Sequence, residues 1–214
     1  VSGPEADERG SRAEKKAQSR RRILDSAREV FFRDGFMAAN LDEVADKAGV
    51  AKGTLYRYFD SKADLYVAVL ADNGKVFLDK MQEAAADGAT PRAQLERISR
   101  FYLEHWTRHQ DYFQIFWAID NQQVIGDLPP AVVAEVTRLW ERSLSVLNRV
   151  LRRGIEEGSW RECDTWEVAN ILWTLANGII QSERTEARRS LRRRPLEDVY
   201  RDAIELVLQG LART

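Results

Sequence analysis

Residues 35–62, GFMAANLDEVADKAGVAKGTLYRYFDSK, hold the densest set of side chains suited to meeting a nucleic acid. Lys52, Tyr56 and Tyr58 suit phosphate oxygens, Arg57 suits phosphate or guanine, and Thr54 suits a base edge or a thymine methyl. Gly53 would let a backbone approach a duplex closely. Lys62 stands where a new apolar-periodic segment begins, and a helix N-terminus there favours phosphate. For this chemistry the residues must project from one short helix held at a sharp angle to another. Asn40 is a good N-cap with Glu43 three positions later, a capping-box arrangement. Val44, Ala45 and Ala48 give the first short helix a small, apolar inner side, and Val50 and Leu55 return to the core. A small residue where two helices touch, Ala45, and a permissive one at the turn, Gly49, are what a helix-turn-helix requires. The same spacing also fits a helical hairpin in some other all-α domain, with its tyrosines packed as core.

No other constellation offers comparable chemistry. His105 and His109 are spaced i, i+4, which can chelate a metal, but no third ligand stands out, and two surface or pocket histidines are the plainer reading. Cys163 is the one cysteine; it reads as incidental, and a lone thiol fits a reducing cytoplasm. The sequence has no acid–base pair at diagnostic spacing, glycine-rich phosphate loop, zinc signature or nucleophile motif. A helical enzyme is therefore the weakest of the function classes, and no cofactor or metal is expected. No apolar run approaches the ~18–20 residues of a membrane span, and no apolar signal-peptide core opens the sequence. A cytoplasmic protein without membrane contact is the expectation.

The net charge is −1, so the chain is no polycation, yet the charge is uneven. Between Arg9 and Arg22 seven basic residues face one acid, Glu14. A basic arm beside a folded module is the electrostatic footprint of nucleic-acid binding, and equally that of a solvated tail. Arg184–Arg194 carries six further arginines and reads as a solvated connector partly paired with Glu183 and Glu186.

The elements that must position these residues are helices throughout, since no stretch sustains period-two alternation. A polar leader over 1–13 is expected to be disordered. A first helix over about 14–33 presents Ile23, Ala27, Val30 and Phe31 on one face and stops at Asp34-Gly35. Short helices over 41–48 and 52–58 follow. A long helix starts near Lys62 and breaks at Asp87-Gly88-Ala89. Further helices are expected over 91–108, 110–122, 130–157, 165–186 and 196–212. The fold class is all-α with about nine helices: a three-helix unit over 14–60, then a larger helical domain over 61–214.

The stretch from about 20 to 66 resembles the DNA-binding domain of the TetR family of bacterial repressors. The resemblance is carried by Ile23, Ala27 and Phe31 before Gly35-Phe36, then Val44-Ala45, Ala48-Gly49-Val50, Lys52-Gly53-Thr54-Leu55-Tyr56, Tyr58-Phe59 and Lys62. One departure stands out: Ala39 and Asn40 occupy positions where the family usually has threonine followed by serine or threonine. Asn40 can still cap and reach a phosphate; Ala39 cannot. The resemblance implies a homodimer that sets two reading helices in successive major grooves of a near-palindromic operator in double-stranded DNA. It also implies that a small-molecule effector in the larger domain swings the helix after Lys62 and weakens the grip. The sign of regulation, repression or activation, is left open by the residues, and repression is what the family implies.

In the larger half, an aromatic cluster over 101–117 suggests either plain core or the wall of a small-molecule site. Within a family of this kind Trp106, Phe113, Trp117, Trp140, Trp173 and Asn177 are the candidates for contact with a largely apolar effector, an acyl chain or an aromatic compound. The last two helices carry broad apolar stripes: Val168, Ile171, Leu172, Leu175, Ile179 and Ile180 on one, Val199, Ala203, Ile204, Val207 and Leu211 on the other. They either complete the monomer core or form a two-fold four-helix interface, the preferred reading. A DNA-binding or scaffolding protein without ligand control would differ only in lacking a pocket.

Overall fold

The computed structural model describes residues 4–86, 90–110, 112–113 and 130–212. Among them the regular elements are helices, apart from an isolated bridge between Trp160 and Ala212. Nine helices have described bounds: α1 (Pro4–Ala38), α2 (Leu41–Ala48), α3 (Lys52–Tyr58), α4 (Lys62–Ala84), α5 (Pro91–Arg108), α6 (Pro130–Glu156), α7 (Thr165–Ser182), α8 (Glu186–Arg189) and α9 (Leu196–Leu211). The chain divides into two compact units, 1–73 with 111–136, and 74–110 with 137–214. The divisions fall inside α4 and α6, whereas the sequence alone suggests a boundary at 60/61.

Most helix bounds follow local signals. Thr90 caps α5 by accepting from the Ala93 N–H, with Pro91 in the first turn. Asp164 caps α7 by accepting from Trp166 and Glu167. Gly158, in the left-handed region at φ 74°, follows the end of α6. Three expectations need correction. The leader expected to be disordered is helical from Pro4, because residues 5–14 are rich in Glu, Ala and Arg, all good helix formers. The helix expected to stop at Asp34-Gly35 instead bends there: Gly35 adopts φ 74°, ψ 172°, a conformation open essentially only to glycine, and a last turn runs on to Ala38. The helix expected over 165–186 ends at Ser182, where the Ser182 hydroxyl and the Glu183 N–H both turn back, to the Ile179 and Ile180 carbonyls. The break at Asp87–Ala89 and most of the helix expected over 110–122 lie outside the described residues.

The first unit is built on α1, whose Ile23, Ala27, Val30 and Phe31 are fully buried. Phe31 meets Tyr66 of α4 edge-on at 5.0 Å, and Phe36 meets the same ring at 5.0 Å. In the second unit the core gathers Leu95, Ile98 and Tyr102 of α5, Leu147, Val150 and Leu151 of α6, Leu172 and Ala176 of α7, and Tyr200, Ile204 and Leu208 of α9. Gln94, itself buried, donates to the Ala85 and Ala86 carbonyls just past α4 and accepts from Arg153 of α6. The α6 end is closed by Trp160, whose ring lies over Gly154 while Gly154 O accepts from the Ser159 and Trp160 N–H groups.

That last contact is testable. A Cβ at position 154 would sit 2.0 Å from Trp160 Cε3. Gly154→Ala should cost about 1–3 kcal/mol through overpacking, read as a lower urea midpoint with an unchanged m-value.

Candidate functional site

In the first unit the turn between α2 and α3 has a complete hydrogen-bonded stop. Gly49 lies in the left-handed region (φ 65°, ψ 40°), its N–H donates to Asp46 O, and the Val50 N–H donates to Ala45 O at 3.0 Å. This is the Schellman pattern. Ala45, 2% exposed, is the small residue beneath it. α3 then leaves with Leu55 fully buried and Phe59 5% exposed just past its end. Lys52, Gly53, Tyr56 and Arg57 are exposed on the opposite side; Thr54 and Tyr58 are half-buried. Around Gly53 nothing lies within 4 Å of where a Cβ would be. α3 contains no acid.

The surrounding charges hold this unit in register. Glu43 does not complete a capping box: Asn40 Oδ1 accepts from the Asp42 N–H at 2.8 Å, while the Glu43 carboxylate takes a two-pronged bond from Arg33 of α1 at 2.8 and 2.6 Å. An arginine fork is a better partner for a carboxylate than a backbone N–H one turn away. Lys47 pairs with Glu29 at 2.9 Å, a second tie between α2 and α1. Lys52 Nζ lies 2.6 Å from Asp42. Tyr58 donates its hydroxyl proton to the Lys16 carbonyl at 3.2 Å, and the Arg20 guanidinium lies over the Phe59 ring. Ser61 caps α4 by accepting from the Asp64 N–H at 3.1 Å. Lys62, half-buried, donates to the Met37 carbonyl at 2.9 Å and lies 5.3 Å from the Phe36 ring centre. Burial pushes its pKa down. Exposed Met37 adjoins this contact and escaped the sequence reading.

The second unit encloses a cavity of about 30 Å³ with almost wholly apolar walls, contributed by Met81 and by α5, α6, α7 and α9. Of the residues expected around an effector, Trp173 lines it. Asn177 is one step removed, accepting a 2.6 Å bond from the buried hydroxyl of Tyr102, which does line it. Trp140 packs on Trp173 at 5.5 Å. Trp106 is buried against Phe77. Phe113 is buried in the first unit, and Trp117 lies outside the described residues. The sequence reading placed neither Met81 nor Tyr200 at such a site and had Tyr102 only as part of the aromatic cluster, because aliphatic and tyrosyl walls carry no spacing signal. Among the described residues no third His, Cys, Asp or Glu joins His105 and His109 in a metal-binding group. No helix of the described residues is long and apolar enough to cross a membrane.

A helix-turn-helix whose second helix carries no acid, followed by a second helical unit with its own core, has the make-up of a DNA-binding regulator. Residues 23–69 match the family described as bacterial regulatory proteins, tetR family, and residues 77–213 match the QacR-like protein C-terminal region. The chain belongs to the TetR family of bacterial transcriptional regulators. It is 25% identical over 140 residues to the fatty acid metabolism regulator protein of Bacillus subtilis, covering 65% of this chain and 70% of that one. It is 47% identical over 122 residues to the transcriptional activator FasR of Mycolicibacterium smegmatis, covering 56% and 52%. Among solved structures, the regulator FadR from Bacillus subtilis in complex with stearoyl-CoA has the same fold, with a TM-score of 0.71 at 20% identity over 89% of this chain and 98% of that one.

His105 of α5 gives the second unit a pH signature. Its ring is buried among Phe77, Phe101 and Trp106, and its Nε2 has no hydrogen-bond partner. Burial pushes its pKa down to about 4, and His109 and Lys80 add to the effect. The unfolded chain takes up this proton first, near the ordinary 6.5. Stability is therefore intact above about pH 6.5, falls as pH drops towards 4, and levels off below. In chemical denaturation at a series of pH values, His105→Phe should flatten this part of the profile.

Proposed function

We propose that the protein is a sequence-specific transcriptional repressor of the cytoplasm, bound to a near-palindromic operator as a homodimer and released by a largely apolar small molecule. The observation that carries this reading is the one-sidedness of α3: Leu55 is fully buried while Lys52, Gly53, Tyr56 and Arg57 face outward. In a major groove Thr54 and Arg57 would touch base edges, Gly53 would admit the backbone, and Lys52, Tyr56, Tyr58 and Asn40 would hold phosphates. Lys62 braces the chain after the Gly35 bend, and its ammonium would reach phosphate by giving up the Met37 carbonyl.

Dimerisation is supported by apolar surface left on helices whose inner sides are already buried. Ile171 of α7 is 54% exposed and Leu206 of α9 is 69% exposed. A two-fold pairing of α7 and α9 with their copies would cover both. Ligand control is supported by the apolar cavity and by the stearoyl-CoA bound to the Bacillus subtilis protein of the same fold. A cavity of 30 Å³ holds about one or two waters. An acyl chain or aromatic compound near Trp173, Trp140, Trp106 and Asn177 would therefore select an expanded state, and the coupling to DNA is its preference for that state. A second reading, activation, is favoured by the 47% identity to the activator FasR. A promoter–reporter fusion separates the two: deleting the gene for a repressor raises expression, and deleting that for an activator lowers it.

DNA selected from a random pool should contain two related half-sites, and gel shifts on it test the residues. Tyr56→Ala should weaken operator and non-specific DNA alike and leave the salt slope unchanged, because a neutral hydroxyl displaces no counterion. Thr54→Ala and Arg57→Ala should relax preference at particular base pairs, each costing about 1–3 kcal/mol on the selected site. Unchanged operator affinity in all three folded variants overturns the assignment of α3.

The interface is tested by combining Ile171→Glu with Leu206→Glu. Sedimentation should report a monomer with intact helical circular dichroism and at least tenfold weaker operator binding. A dimer that persists in this variant moves the interface elsewhere.

A further inference from the structure

The cavity of the second unit has a larger neighbour. Between α5 and α9 lies a cleft of about 470 Å³ whose walls carry Glu96, Arg100, Glu104, Glu197, Arg201 and Glu205. Ser99, Tyr200 and Ile204 line both spaces. The floor of the cleft is thus the roof of the cavity. Tyr200 is 3% exposed, Ile204 is 7% exposed, and Ser99 is half-buried. Ser99 of α5 and Tyr200 of α9 both stand at this boundary, and burial keeps the Tyr200 hydroxyl protonated.

We propose that the α5–α9 cleft is the route by which the effector reaches the inner cavity, and that the Tyr200 side chain is the gate between the two. The proposal rests on the effector reading above and adds where the molecule sits: an amphipathic compound with its apolar chain inside and its polar head in the cleft. The chemistry of the two spaces divides in that way. The inner walls are almost wholly apolar and offer nothing to a charged group, whereas six ionisable side chains ring the outer space. Tyr200 suits a gate because a helical tyrosine has two accessible χ1 wells, so it can swing without disturbing the α9 backbone. The cleft also lies on the α5 side of α9. Val199, Ala203 and Leu206 occupy a different face of the same helix by the 3.6-residue period, so pairing of two copies through that face leaves the route open.

The test uses the whole protein and does not depend on a known ligand. A thiol is placed in the cavity wall by Ala176→Cys, or by Leu172→Cys should the first not fold, and its labelling by N-ethylmaleimide is followed by mass spectrometry. Cys163, half-exposed and retained, is the internal reference for reagent reactivity. Tyr200→Leu, which removes the ring at the gate, should speed labelling of the introduced thiol at least fivefold with Cys163 unchanged. Ser99→Phe, which fills the junction, should slow it. Equal labelling in all three backgrounds, or an acceleration shared by Cys163, overturns the gate. Stearoyl-CoA is then added as the probe. Protection of the introduced thiol, with faster association in Tyr200→Leu, supports gate and effector site together. Labelling that responds to Tyr200 while stearoyl-CoA changes neither labelling nor operator affinity supports the gate and removes the acyl-chain reading of the effector.

Discussion

A seven-residue helix has no stability of its own in water, where isolated helices need about 12–15 residues. α3 also lacks a side-chain cap, since Ala51 precedes it. What keeps it helical is Leu55, which has no exposed surface, with Phe59 buried just beyond. Burying one leucine contributes about 1.5–3 kcal/mol, enough to offset the loss of a cap and a short nucleus. Because that one contact and the Gly49 turn hold α3, little of its stability rests on the outward side chains, the Lys52–Asp42 pair aside. Lys52, Gly53, Tyr56 and Arg57 can be chosen for what they touch outside the protein. The whole regulatory reading depends on this separation of an inward anchor from an outward face.

The charges around the anchor act in two ways. Arg33–Glu43 and Lys47–Glu29 tie α2 to α1. Exposed pairs of this kind add little to stability, but the planar, two-pronged Arg33 contact also fixes orientation. Lys52–Asp42 is of another kind, because under the proposed function its lysine would meet a phosphate. On meeting DNA it must exchange a carboxylate for a phosphate, leaving the Asp42 charge behind. Its net contribution to affinity is therefore smaller than that of an unpaired lysine. Lys62 is held more firmly still, by a carbonyl and an aromatic face.

How legible these features are in the sequence depends on how local their causes are. The bounds of α2 and α3, the left-handed Gly49 and the inward Leu55 all follow from residues within a turn of one another, and the sequence pattern indicates each. The capping role of Glu43 does not hold, because its carboxylate is claimed by Arg33, ten residues away in sequence and on another helix. The cavity was legible only at Trp173. Its other walls are Leu, Ile, Met, Ala and Tyr drawn from several helices, residues that look in sequence like any other core. The aromatic cluster over 101–117 divides: Tyr102 lines the cavity, whereas Trp106 packs against Phe77 and is absent from its wall.

The small size of the cavity bears on how a ligand could act at all. A site already shaped for its ligand would bind with little preference between conformations and would shift nothing, however tight the binding. A nearly filled apolar site is different, because the ligand's burial free energy is available only in the expanded state. Moving an equilibrium from 1:99 to 99:1 takes about 5.5 kcal/mol of differential affinity. At about 0.8 kcal/mol per buried methylene, a chain of roughly seven methylenes supplies that if the closed state excludes it. A polar effector of the same size would gain no such preference from walls of leucine, isoleucine and methionine. If the proposed effector acts here, the apolar closure of this site would favour an apolar chain as the agent of release, and would set a minimum chain length below which a ligand binds without switching.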